Sequence, residues 1–172
     1  MPHISMSHMI GTISLLGILI IVGLVSSSID LDLRARTQKG NLQDIAQFVS
    51  NELVSVTTLT ESSQKSDLFS YKFISVPTSV GTKGYTVSIV NDTTLGWEIV
   101  ASLDGVTSIY GASPLNFRGG IIVGTDTNPP PLNFTTPVRF VSSFGSGTNG
   151  TLVWCYYNTT TSQSWVGLGV LP

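Results

Sequence analysis

Few side chains in this sequence are equipped for catalysis, and their placement frustrates the familiar mechanisms. The histidines are His3 and His8, and the lone cysteine is Cys155. A nucleophilic triad needs an imidazole base within hydrogen-bond reach of its serine or cysteine and of an orienting acid. Both imidazoles here precede a long uncharged stretch, so neither reaches residues 61–172 if that stretch crosses a bilayer. The same inventory withholds a His/Cys zinc site from the C-terminal region. No strand–GxxxxGK[ST]–helix phosphate loop is present. Asp92, Glu98, Asp104 and Asp126 offer oxygen ligands of the kind Ca²⁺ takes, or a carboxylate pair for glycoside hydrolysis. Their spacing selects neither over ordinary turn and surface acids. The expectation is a protein with no enzymatic activity and no cofactor.

Modification chemistry is better represented. Four N-x-S/T sequons, at Asn91, Asn133, Asn149 and Asn158, all fall in predicted turns or strand ends and are candidates for glycosylation. Cys155 cannot form an intramolecular disulfide. Inside Leu152-Val153-Trp154-Cys155-Tyr156-Tyr157 it reads as a small buried hydrophobe, with a reactive thiol or an intersubunit bridge as the other readings. Asn128-Pro129-Pro130-Pro131 should be stiff and extended, as a connector or as a displayed binding loop.

The elements that would carry these residues divide the chain in four. Its 172 residues accommodate one globular domain plus an anchor. Charged residues are 10% of the sequence against roughly 25% in ordinary soluble proteins, and the positive mean hydropathy of +0.30 comes from the N-terminal run. A net charge of −2 with scattered Lys and Arg excludes a nucleic-acid footprint. Residues 1–8 form a polar leader. Residues 9–29 carry no charge, and about 21 residues at ~1.5 Å each span roughly the 30 Å of a bilayer core. A transmembrane helix is the reading, because the leader lacks the basic n-region of a cleaved signal and Ser26-Ser27-Ser28 makes a poor cleavage site. Arg34, Arg36 and Lys39 would place the following flank in the cytoplasm by the positive-inside rule. The sequons and the low charge point outward, and the C-terminal domain is expected outside.

Residues 30–60 continue as an amphipathic helix. Asp30 with Arg34 and Asp32 with Arg36 are acid-first i,i+4 pairs. Leu42, Ile45, Val49, Leu53 and Val56 form an apolar stripe through residues 41–59, and Gly40 marks a kink or weak point ahead of it. The stripe packs on the protein's own β domain or on helices of neighbouring subunits. Residues 61–172 read as about eight short strands, at Phe69–Val76, Tyr85–Val90, Trp97–Ser102, Thr107–Tyr110, Gly120–Val123, Val138–Ser142, Thr151–Tyr157 and Ser164–Val170. The segment Ser143–Gly150 reads as a flexible turn, with Asn149-Gly150 a hairpin dipeptide. No helical pattern separates the strands, which predicts an antiparallel β-sandwich and a mainly β fold class.

An uncharged helix beginning at Ile10-Gly11-Thr12-Ile13-Ser14-Leu15-Leu16, running on through Leu53 and entering a β-sandwich, resembles archaeal type IV pilin-like surface proteins. These include pilins, archaellins and the membrane-anchored accessory proteins of the archaellum. The resemblance covers the layout of the whole chain. It implies a static role, either polymerising into a filament of like subunits or linking a filament to protein partners in the envelope. The stretch His8-Met9-Ile10-Gly11 lacks the charged residue that prepilin peptidase substrates carry before their cleavage point, which favours an uncleaved anchor. Gly11, Gly17 and Gly23 recur every six residues, so no single-face helix dimer is indicated. The reading from another class is an extracytoplasmic ligand-binding domain.

Overall fold

Between Pro2 and Pro77 the sequence has no proline, and one helix uses most of that interval. The computed structural model describes residues 3–62, 67–117, 121–132 and 134–172, with side chains from residue 9 onward. Helix α1 spans His3–Ser62, 60 residues without interruption. Gly40, expected as a kink or weak point, lies inside continuous helix. Leu42, fully buried two residues later, supplies packing that offsets the ~1 kcal/mol propensity cost of a helical glycine. The chain forms two structural units, residues 1–37 and residues 38–172.

In the second unit nine strands follow the helix: β1 Leu68–Phe73, β2 Tyr85–Asp92, β3 Gly96–Leu103, β4 Val106–Pro114, β5 Ile121–Val123, β6 Arg139–Val141, β7 Ser143–Gly145, β8 Thr151–Asn158 and β9 Gln163–Val170. They build two sheets, one ordered β1-β8-β9-β5 with β6 also on β9, the other ordered β4-β3-β2-β7. The helix-plus-sandwich architecture expected from the sequence is therefore present. Several details differ from the expectation: β1 stops at Phe73 and not Val76, and β4 runs on to Pro114, past the expected end at Tyr110. β5 runs parallel to β9, pairing Ile121 with Ser164 and Val123 with Val166, so the sandwich is not wholly antiparallel. The segment Ser143–Gly150 is not all turn, since β7 pairs with β2 and buries Phe144. Asn149-Gly150 accordingly joins strands of different sheets and closes no hairpin.

The core lies between the sheets and the C-terminal part of α1. Leu42, Ile45, Ala46, Val49, Leu53 and Val56 meet Val87, Ile99 and Ala101 of one sheet and Val153, Cys155, Val166 and Leu168 of the other. Strand β8 is buried on both faces. Val153 and Cys155 enter this core, while Leu152, Trp154 and Tyr156 form a second cluster with Phe69, Leu132, Phe140 and Trp165. That explains why Leu152–Tyr156 is apolar without alternation. It also explains the mixed pattern of β1, where Phe69 and Tyr71 pair with Tyr156 and Trp154 across the register. The Trp154 ring lies 4.7 Å from Phe140, and its Nε1 donates to the Leu168 carbonyl at 2.8 Å. Gly167 makes room for this indole, because a Cβ there would sit 2.4 Å from the Gly124 oxygen and 2.7 Å from Trp154 Cζ2. Pro130, in the proline run, is buried.

Candidate functional site

The most unusual surface belongs to the first unit taken alone. From Met9 to Ile29 the helix bears Ile10, Ile13, Leu15, Leu16, Ile18, Leu19, Ile20, Ile21, Val22, Leu24 and Val25, each more than half exposed. An 18-residue window here has a mean hydropathy of 2.5 and is 0% buried, so this helix is long and apolar enough to cross a membrane. Each large aliphatic side chain left in water forgoes about 1.5–3 kcal/mol of burial. The run ends at two ion pairs. Arg34 contacts Asp30 at 2.8 Å and Arg36 contacts Asp32 at 2.9 Å, all four side chains more than half exposed. Such pairs contribute only about 0.3–0.5 kcal/mol each. Their main effect is to give the end of the apolar run a polar, self-neutralised collar.

The second unit consumes the other apolar face of the helix. Leu42, Ile45, Val49 and Leu53, the four packing candidates, are all buried against the protein's own strands. The alternative in which this stripe awaits helices of neighbouring subunits is thereby corrected. Polar contacts fix the docking. Gln43 Nε2 donates to the Ala112 carbonyl at 2.6 Å, and the Ala112 amide donates back to Gln43 Oε1 at 3.1 Å. Because β4 is an edge strand, this side-chain amide substitutes for a missing neighbour strand and blunts the edge. Ser50 Oγ donates to the Pro114 carbonyl at 3.2 Å, and Lys72 of β1 pairs with Glu52. The helix backbone lies directly on Gly111 of β4, where a Cβ would come within 2.2 Å of the Gln43 nitrogen. Sequence reasoning missed Gln43 and Gly111. An isolated glycine within a strand, as in Tyr110-Gly111-Ala112, was the available sign of close backbone approach.

The sequons separate. Asn91 and Asn149 are exposed, while Asn158 is buried and its Oδ1 accepts the Thr160 and Thr161 amides at 2.9 and 3.1 Å. Asn133 lies outside the described residues, as do the side chains of His3 and His8.

Two of the candidate acids are far apart. Asp92 and Asp104 lie at opposite ends of the β2–β3 hairpin, Asp92 in the Asp92–Gly96 pair and Asp104 one residue past the Tyr85–Leu103 pair. Asp92 Oδ1 accepts the Thr94 hydroxyl and the amides of Thr94 and Leu95, which hold its carboxyl below the usual range. Asp104 accepts the Thr86 hydroxyl at 3.0 Å. Among the described residues no three of His, Cys, Asp and Glu come together. Cys155 is buried under α1, and desolvation pushes its thiol up to about 11, which keeps it protonated and unreactive near neutrality.

Three surface grooves, of about 180, 270 and 360 Å³, open on the second unit. The smallest is lined by Val54, Thr57, Glu61, Phe117 and Ile121, without a convergent set of titratable groups. No protein-family model matches the chain, and neither a curated protein sequence nor a solved structure matches it.

Proposed function

We propose that this chain is a non-enzymatic, membrane-anchored surface protein, whose α1 holds a β-sandwich outside the membrane as an anchor or accessory component of a surface filament or envelope layer. The observation that carries this reading is the contrast between the two apolar faces of one helix. The stripe Leu42–Leu53 is satisfied by the protein's own core, whereas the large aliphatic side chains between Met9 and Ile29 are exposed. The length of that segment matches a bilayer. The layout resembles archaeal type IV pilin-like proteins, and the uncharged leader favours the anchor over a polymerising subunit, which would bury the same segment among its neighbours. Small open grooves and acids committed to turns support a structural role over ligand binding.

Orientation is tested by labelling. Asp126 is exposed in the loop after β5, whereas Cys155 is buried and protonated, so an Asp126→Cys variant carries one reactive thiol. A membrane-impermeant maleimide added to intact cells is expected to label this variant and leave the parent chain unlabelled. Labelling of the variant only after permeabilisation would place the sandwich in the cytoplasm and overturn the surface role.

A further inference from the structure

The three described sequons differ in what they present to a modifying enzyme. Glycan transfer needs access to the asparagine amide and to the hydroxyl two residues on, the two side chains that define the motif. At Asn158 the asparagine is closed, 8% exposed and tied to the backbone of its own turn. At Asn149 the amide is free, but Thr151 is 4% exposed and its hydroxyl donates to the Ile74 carbonyl at 3.1 Å. At the tip of the β2–β3 hairpin, Asn91 and Thr93 are both exposed. The acid between them is engaged by its own turn, since Asp92 Oδ1 accepts the Thr94 and Leu95 amides at 2.7 and 3.0 Å. Val90 and Leu95, 40% and 70% exposed, flank the same tip, so a glycan here would cover apolar surface that the fold leaves bare.

We infer that, among the three described sequons, Asn91 is the N-glycan acceptor of the folded domain, and that the Asn149 and Asn158 sequons are silent once the domain has folded. The inference rests on the extracytoplasmic reading above. In the transfer, Asn91 Nδ2 attacks the anomeric carbon of a glycan carried on a polyprenyl phosphate. The carbon–nitrogen bond forms as the anomeric carbon–oxygen bond breaks, the lipid phosphate leaves with the electron pair, and the amide proton passes to a carboxylate of the transferase. No oxidation or reduction occurs.

The test is glycopeptide mass spectrometry on the full chain purified from the membranes of cells that naturally make it. Glycan is expected on Asn91 and absent from Asn149 and Asn158. Asn91→Gln and Thr93→Ala should each remove that mass, and Thr93→Ser should keep it. Because Asn91 and Thr93 are both exposed, these variants leave the core intact. Glycan on Asn149 or Asn158, or a bare Asn91 on a domain that the maleimide reaches from outside, overturns the inference while leaving the surface location standing. A domain labelled only after permeabilisation defeats both, and the two failures are told apart because labelling at Asp126→Cys does not depend on any glycan.

Discussion

Replacing Gly111 with valine is expected to destabilise the folded domain by about 3 kcal/mol or more. A Cβ at this position would stand 2.2 Å from the Gln43 nitrogen, 2.5 Å from Gln43 Cα and 2.5 Å from the Leu42 carbonyl carbon. All three are helix backbone atoms, so no side-chain rotamer relieves the clash, and the helix must lift from β4. Lifting it breaks both Gln43–Ala112 hydrogen bonds and opens the packing of Leu42 and Ala46, which are 0% exposed. Gly40→Ala is the matched control. Nothing lies within 4 Å of a Cβ there, so alanine is expected to stabilise the helix by up to about 1 kcal/mol. Denaturant titration of the detergent-solubilised full chain, followed by tryptophan fluorescence, reads both effects. A Gly111→Val midpoint indistinguishable from the parent would show that the helix is not seated on β4.

The second large effect concerns the apolar run. Ile18 and Val22 lie one helical turn apart, 59% and 55% exposed, near the middle of the uncharged segment. Arginine at a helix centre costs roughly 2.5–3.5 kcal/mol in the bilayer and removes an aliphatic residue that favoured it. The double variant Ile18→Arg/Val22→Arg therefore forfeits about 6 kcal/mol of insertion free energy, enough to abolish stable anchoring. The chain should disappear from alkali-washed membranes. The core of the second unit draws on no residue before Leu42, so the thermal unfolding of its sandwich should stay unchanged. Undiminished recovery from washed membranes would mean that the run is not held in lipid.

How far these features could be read in advance depended on whether their causes are local. Helix α1 and its stripe were legible because Leu42, Ile45, Val49, Leu53 and Val56 repeat at helical spacing and are buried together. The hairpin strands β2, β3, β8 and β9 were legible because β-branched and aromatic runs end at glycine and asparagine turns. Strand β7 was not, because Phe144 is its one large apolar residue among serines and glycines, and its pairing partner Val87 is far away in sequence. The parallel β5–β9 pair was equally hidden, since nothing in Ile121-Ile122-Val123 specifies the direction of its neighbour. The Gln43–Ala112 docking contact was hidden as well, since it needs one amide to meet one edge strand across 69 residues. The sequons were visible as motifs, but their difference in access was not. Asn158 is closed by the turn it begins, and Thr151 by a hydrogen bond to Ile74, 77 residues away.

The central claim is that the intact helix stays in lipid and holds a single, non-polymeric sandwich at the surface. Its most direct test is the mass and assembly state of the chain extracted by detergent from alkali-washed membranes of the cells that make it. The expected result is peptides that run unbroken from the leader at residues 1–8 into Met9 and Ile10, on a discrete, non-filamentous particle. An N-terminus trimmed to a position within residues 9–11, on chains recovered in sheared filaments, would contradict it.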